Sequence, residues 1–228
     1  MRAPACVILV AVFCPPAFAA DVTVRSHETG VHDGKPWGES YTQYHSDLGL
    51  RVDVTRDGAP APYMSFLLLR RPDRLFVVRG ASVTAVERPQ LEALERQARV
   101  APAPAPPQPS PLGTRHTVGG HECAGYRLAT RGQPTRYFCL APPASLGLPP
   151  AFVADCADLW DLLARLTALS RDAKASATDA VNPYRIPAGY PVRIWDSASG
   201  DVTWEQEMLS VATGPVDARL FAAPDPGR

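Results

Sequence analysis

An α+β fold is what the sequence predicts, a curved antiparallel sheet covered by one main helix and one minor helix. Three stretches carry that prediction. Leu48, Leu50, Val52 and Val54 alternate with Gly49, Arg51, Asp53 and Thr55, the mark of a strand with one wet face. His121 to Leu140 reads as a β-hairpin with a turn at Thr130-Arg131-Gly132. Phe152, Cys156, Leu159, Leu163 and Leu166 recur at three and four residues, which predicts a helix over 151–171.

Residues 1–20 read as a cleaved signal peptide rather than part of the fold. Arg2 gives a short positive region, Ala5 to Phe13 an apolar run, and Ala17-Phe18-Ala19 a small-x-small cleavage site. The apolar run is shorter than the roughly 20 residues a bilayer span needs. Phe13 before Cys14 argues against a lipoprotein signal. An exported, periplasmic product starting near Ala20 or Asp21 is expected, with no transmembrane anchor. The whole chain has 23 basic and 23 acidic residues, so loss of Arg2 leaves 22 against 23, a charge of −1. That balance argues against nucleic acid as a partner. About 208 of the 228 residues remain, enough for one domain and short for two.

From Asp21 to Glu87 the pattern is a β-meander. Val22 to Glu28 and Ser40 to His45 are polar enough to read as edge strands. Asp57-Gly58 is a turn, and Tyr63 to Leu69 is apolar on both faces. Arg71-Pro72-Asp73 turns the chain into Leu75 to Val78. Two consecutive strands without a polar face predict cover on both sides of the sheet there. Gln90 to Val100 has helical composition with a thin stripe (Leu91, Leu94, Ala98) and is placed on the surface. Residues 101–113, rich in proline, read as an extended external loop between two halves of one sheet. The expected organisation is therefore a signal peptide at 1–20 and one antiparallel domain over 21–228.

In the hairpin, Gly132 suits the left-handed third position of a three-residue loop. That register sets Ala129 opposite Gln133 and Cys123 opposite Cys139. One face then carries Ala124, Tyr126, Leu128, Phe138 and Leu140, with Arg136 its one charged member. The other carries Arg127, Thr135, Tyr137 and both cysteines. Five cysteines are present, of which Cys6 and Cys14 leave with the signal. One bridge and one thiol suit an oxidising compartment. The register favours Cys123–Cys139, with Cys139–Cys156 the alternative. Pro150 suits a first helical turn, and Trp160, Leu162 and Leu169 widen the stripe that follows. Residues 172–182 read as a connection. Tyr190 to Ser197, Val202 to Thr213 and Val216 to Ala222 read as three further strands.

No catalytic constellation emerges, and a non-enzymatic protein without cofactor or metal is expected. His121-Glu122 opens like a zinc-protease motif, but Gly125 stands where the second histidine belongs. There is no GxSxG, CxxC, GxGxxG or Walker sequence. His27, Glu28, His32 and Asp33 read as a polar surface loop, and His45 and His116 as isolated polar residues. Cys156 on the helix stripe reads as a buried, inert thiol. Arg115, Arg127, Arg131 and Arg136 read as a solvated face, and Trp160, Trp195 and Trp204 as core or sheet anchors. If sheet and helix enclose an apolar cleft, Phe66, Leu68, Phe76, Val78, Tyr126, Phe138 and Leu163 are the side chains expected around it.

The order of segments also resembles a family of uncharacterised bacterial periplasmic proteins, similar in architecture to the lipoprotein-carrier superfamily typified by LolA and LolB. The carrying residues are the LLLRRPDRLFVV meander, Val118 to Tyr126, Tyr137 to Leu140, Gly189 to Val192 and Leu220 to Pro224. The resemblance implies a half-barrel whose helices close the concave side. In the carriers that face holds acyl chains, which implies a lipid or lipoprotein acyl chain as ligand here. A contrasting expectation is an envelope interaction or stress-sensor module with a filled core and a protein partner. The chain departs from the carriers in its insertion at 101–113 and its extra cysteines.

Overall fold

A computed structural model describes residues 21–98, 107–169 and 181–224. Among them eleven strands form one antiparallel, curved and unclosed sheet, flanked by two α-helices. This is the half-barrel architecture that the resemblance implies. The first meander comprises β1 (Val22–His32), β2 (Lys35–Ser46), β3 (Gly49–Arg56), β4 (Met64–Arg70), β5 (Asp73–Arg79) and β6 (Ser82–Glu87). Helix α1 (Arg88–Ala98) follows. The second meander comprises β7 (Ser110–Val118), β8 (His121–Leu128), β9 (Thr135–Ala141), β10 (Tyr190–Ala198) and β11 (Asp201–Thr213), with α2 (Pro150–Leu169) between β9 and β10. The strand order is β6-β5-β4-β3-β2-β1-β11-β10-β9-β8-β7.

That order corrects the placing of the first two strands. β1 lies at the middle of the sheet, paired with β2 on one side and β11 on the other. Polarity along β1 and β2 misled because it reports which faces are wet, not whether the backbone is paired. The edges are β6 and β7. β7 also corrects the extent of the proline-rich loop, because Ser110 to Gly113 belong to a strand. Residues 1–20, expected to be a signal peptide, lie outside the described residues, as do 99–106, 170–180 and 225–228.

The doubly apolar pair β4–β5 is covered on both faces, as predicted. Leu68 and Leu75 belong to the main core with Phe152, Leu159 and Leu162 of α2. Leu67, Leu69 and Phe76 instead meet Phe221 in a separate cluster. Phe221 ends a 3₁₀ turn, Ala218–Phe221, where the sequence suggested a strand. Asp217 caps that turn by accepting the Arg219 N–H, an interaction that competes with extended pairing. The same turn covers the face of β3 expected to be wet: Arg51 donates to Leu220 O at 3.1 Å. Asp53 there is buried, and accepts from Arg51 at 2.8 Å and Ser65 at 2.6 Å.

Cys123 and Cys139 form the disulfide, with Cα atoms 5.3 Å apart. The hairpin register, however, differs from expectation by two residues. Gly125, not Cys123, is opposite Cys139, and Tyr126 faces Phe138. Cys123 sits one residue outside the ladder's first pair, Ala124–Leu140, and reaches Cys139 diagonally. The loop spans six residues, 129–134, around a Thr130–Gln133 turn in which Gly132 has φ 77°. The predicted register would have set Pro134 inside the ladder, where it has no N–H to donate. A two-residue shift leaves every side chain on its predicted face.

Helix α2 buries Phe152, Cys156, Ala157, Leu159 and Leu162. Cys156 is the free thiol, and burial pushes its pKa well above the usual range. Helix α1 buries only Leu91 and is tied to α2 by a bidentate Arg165–Glu95 pair, both contacts 2.7 Å.

Candidate functional site

Helix α2 is fixed to the sheet by a polar cluster inside an apolar surround. His45 on β2 is 1% exposed, with its ring edge-on to Phe152 at 5.6 Å between centroids. Arg70 at the end of β4 donates to Asp155 Oδ2 of α2 at 2.7 Å, and its guanidinium lies 2.9 Å from His45 Nε2. His45 Nε2 also lies 3.3 Å from Asp155 Oδ2, while Nδ1 is a buried atom without a hydrogen-bond partner among the described residues. Burial raises the Asp155 pKa, but the contacts with His45 and Arg70 outweigh it and hold the carboxyl below its ordinary value.

A carboxyl with a lowered native pKa contributes stability above its unfolded value, 3.8, and loses it as pH falls through the native one. Asp155→Asn is expected to cost about 1–2 kcal/mol at neutral pH, a figure reduced because Arg70 is a third exposed. Urea unfolding as a function of pH checks this: the gap between wild type and variant should close below pH 3.8.

Tyr184 and Tyr190 also line a small void. The void bounded by Tyr184, Tyr190, Ile194, Gln206 and Met208 measures about 10 Å³, the room of one water at most. Tyr190 donates its hydroxyl to Gln43 Oε1 at 3.0 Å, and Gln43 Nε2 donates to Tyr184 at 3.5 Å. Burial raises the pKa of both phenols.

The seven residues expected around a cleft are divided among several environments. Leu68 is buried in the main core, and Phe66 and Leu163 pack against it. Phe76 lies in the cluster on the opposite face of β4–β5. Val78 is half-buried. Phe138 is buried beside Leu128 and Ile194, and Tyr126 packs on that group. None of the seven lines the larger hollows described next.

One such hollow is a groove of about 660 Å³ beside the first half of α2. Val153, Ala154 and Ala157 of α2 form its floor, and Leu148 and Pro143 one wall. Tyr184 and Arg185, on the 3₁₀ turn Pro183–Arg185, form the other. Asn182 fixes that turn by donating to Ala157 O at 2.9 Å and Asp161 Oδ1 at 2.7 Å. Arg185 pairs with Asp161 at 2.6 Å and Asp158 at 3.4 Å, so the rim carries both signs of charge. Sequence reasoning passed over these residues. The available signal was that Val153, Ala154 and Ala157 make α2 apolar beyond the stripe that faces the core.

Elsewhere, the supposed polar loop at 27–33 is strand and turn. His27, Glu28 and His32 lie on β1, and Asp33-Gly34 forms the β1–β2 turn with φ of 51° and 72°. His27 bonds Asp57 rather than Asp33. Among the described residues no three His, Cys, Asp or Glu side chains gather as a metal site. None of the described helices is long and apolar enough to cross a membrane.

No protein-family model and no curated protein matches the chain. Solved structures with a similar course include an uncharacterized conserved protein from Thermus thermophilus. The identity is 8%, over 90% of this chain and 86% of that one, with a TM-score of 0.46. Another is the MucA/MucB complex of Pseudomonas aeruginosa, at 13% identity over 89% of this chain and 56% of that one, with a TM-score of 0.37. A third is a domain ascribed to outer membrane lipoprotein sorting from Vibrio parahaemolyticus. It shows 6% identity over 90% of this chain and 91% of that one, with a TM-score of 0.31.

Proposed function

We propose that this protein is a non-catalytic binding module of the bacterial periplasm that takes a lipid-like or other amphiphilic ligand in the groove beside α2. The observation that carries the reading is the groove's lining. Its floor and one wall are apolar, and its charged group, Arg185, stands on the other wall beside Tyr184. An acyl chain gains by leaving water along such a floor, and its head group meets the charged rim. Rigidity favours the site too, since the Asn182 contacts hold Tyr184 in place without the ligand's help. The disulfide is consistent with export to an oxidising compartment. Phe66, Leu68 and Leu163 lie in or against the core that α2 covers, and a longer chain passing under the helix would meet them.

The test is native mass spectrometry of protein prepared from periplasm without detergent, followed by uptake of a fluorescent fatty acid by delipidated protein. Wild type is expected to carry a lipid-sized mass and to take up the probe. Ala154→Trp, at an exposed position on the groove floor, is expected to weaken uptake at least about tenfold by filling the space. A delipidated wild type that takes up no probe would reject the reading, as would an Ala154→Trp protein that binds like wild type.

A second reading, a protein-docking module, draws on β7. This edge strand is exposed at every residue from Ser110 to Thr117 and pairs, among the described strands, with β8 alone. A partner's extended segment could add to it.

A further inference from the structure

Beside the apolar groove lies a second, strongly charged hollow of about 380 Å³, along the following turns of α2. Arg88, Asp158, Asp161, Arg165 and Arg185 are among the residues that line it. Arg185 lines the groove as well, so the two spaces are neighbours that share one side chain. An amphiphile lying in the groove with its polar end toward Arg185 has this hollow as the place for its head group.

Three separate elements bring the arginines together. Arg88 is the first residue of α1, Arg165 belongs to α2, and Arg185 ends the 3₁₀ turn Pro183–Arg185. Carboxylates orient all three. Arg88 donates through Nε to Asp73 at 2.7 Å and through Nη2 to Asp158 at 3.1 Å. Arg165 donates through Nε and Nη2 to Glu95. Arg185 donates through Nε to Asp161 at 2.7 Å and through Nη2 to Asp158 at 3.4 Å. In each case the contacts use Nε and Nη2. The third nitrogen, Nη1, has no partner among the described residues in any of the three. Charged donors therefore remain available on guanidinium groups whose orientation is already set, the arrangement that suits a phosphate.

The same space holds the opposite charge. Asp158 lies between Arg88 and Arg185, giving one oxygen to each. Asp161 accepts from Asn182 and from Arg185. An anion alone would meet both carboxylates, and a cation alone would meet three arginines. A group that carries both charges satisfies both sets.

We propose that this hollow takes a zwitterionic head group, a phosphate joined to an ammonium, with the phosphate on the arginines and the ammonium against Asp158. The assignment rests on the reading of the groove as an amphiphile site and names the ligand class: a phospholipid of the phosphatidylethanolamine type, or its single-chain form.

The test is displacement of the fluorescent fatty acid from delipidated protein by three competitors with the same acyl chain, each below its micelle concentration. They are lysophosphatidylethanolamine, lysophosphatidylglycerol, which lacks the ammonium, and monoacylglycerol, which lacks both charges. The first is expected to displace the probe at about tenfold lower concentration than either of the others. Asp158→Asn should remove its lead over lysophosphatidylglycerol, and Arg88→Gln should reduce its lead over monoacylglycerol. Each lead is a ratio measured on one protein, so a change in affinity for the probe cancels. Circular dichroism checks the fold of both variants, and should Arg88→Gln misfold, Asp158→Asn decides alone. Equal displacement by the three competitors would overturn the head-group assignment while leaving the groove as an amphiphile site. A lead that a folded variant leaves unchanged would overturn it too. A wild type that takes up no probe would reject the groove and the head-group site together.

Discussion

Phe152→Ala is expected to destabilise the protein by about 3–5 kcal/mol, the range for truncating a buried aromatic side chain. Phe152 is fully buried, and its ring meets His45 at 5.6 Å and Tyr190 at 5.8 Å. It is therefore the point at which α2, the first meander and the second meander touch. Alanine would leave a void bordered by the His45 ring, whose polar contacts with Arg70 and Asp155 limit how far the surroundings can collapse. Urea unfolding should show a lower midpoint with an unchanged slope. The melting temperature should fall by roughly 10 °C. Phe152→Leu should cost much less, since most of the volume stays. Equal losses for the two would mean that ring packing, not volume, governs the site.

The second large effect is expected from the disulfide. Cys123 and Cys139 are 16 residues apart, and a loop of that length corresponds to about 3 kcal/mol of chain entropy removed from the unfolded state. The Cys123→Ser, Cys139→Ser double variant should lose about that much in denaturant unfolding. Its remaining thiol, Cys156, is buried and offers no alternative partner without unfolding of α2. A stability equal to wild type would show that the β8–β9 ladder already restricts the unfolded chain in that region.

Much of this fold was legible in the residues. The α2 stripe was read almost whole, because spacings of three and four residues have no competing explanation over five positions. Apolarity on both faces of β4 and β5 correctly implied two covers, though it could not say that one would be a 3₁₀ turn near residue 220. The hairpin was legible in its faces and its bridge but not in its register, since a slip of two residues satisfies both. Pro134 was the discriminating residue. The groove was the least legible, because it is not written in one segment. The groove needs Leu148, Ala154 and Tyr184 from three elements.

With β1 at the middle of the sheet, the two meanders are joined through the far ends of the described chain. Within each meander every strand is joined to its sequence neighbour, through a short connection everywhere except β9–β10, which α2 separates. The β1–β11 pairing is different: it sets Val22 beside Thr213, and Gly214 N donates to Asp21 O at 3.0 Å. That seam carries the largest loop-closure cost of any pairing in the sheet. In vectorial delivery, the first meander would emerge with the β1 flank unpaired until β11 arrived. The polar residues that made β1 look like an edge, His27 and Glu28 among them, would keep that flank soluble during the wait.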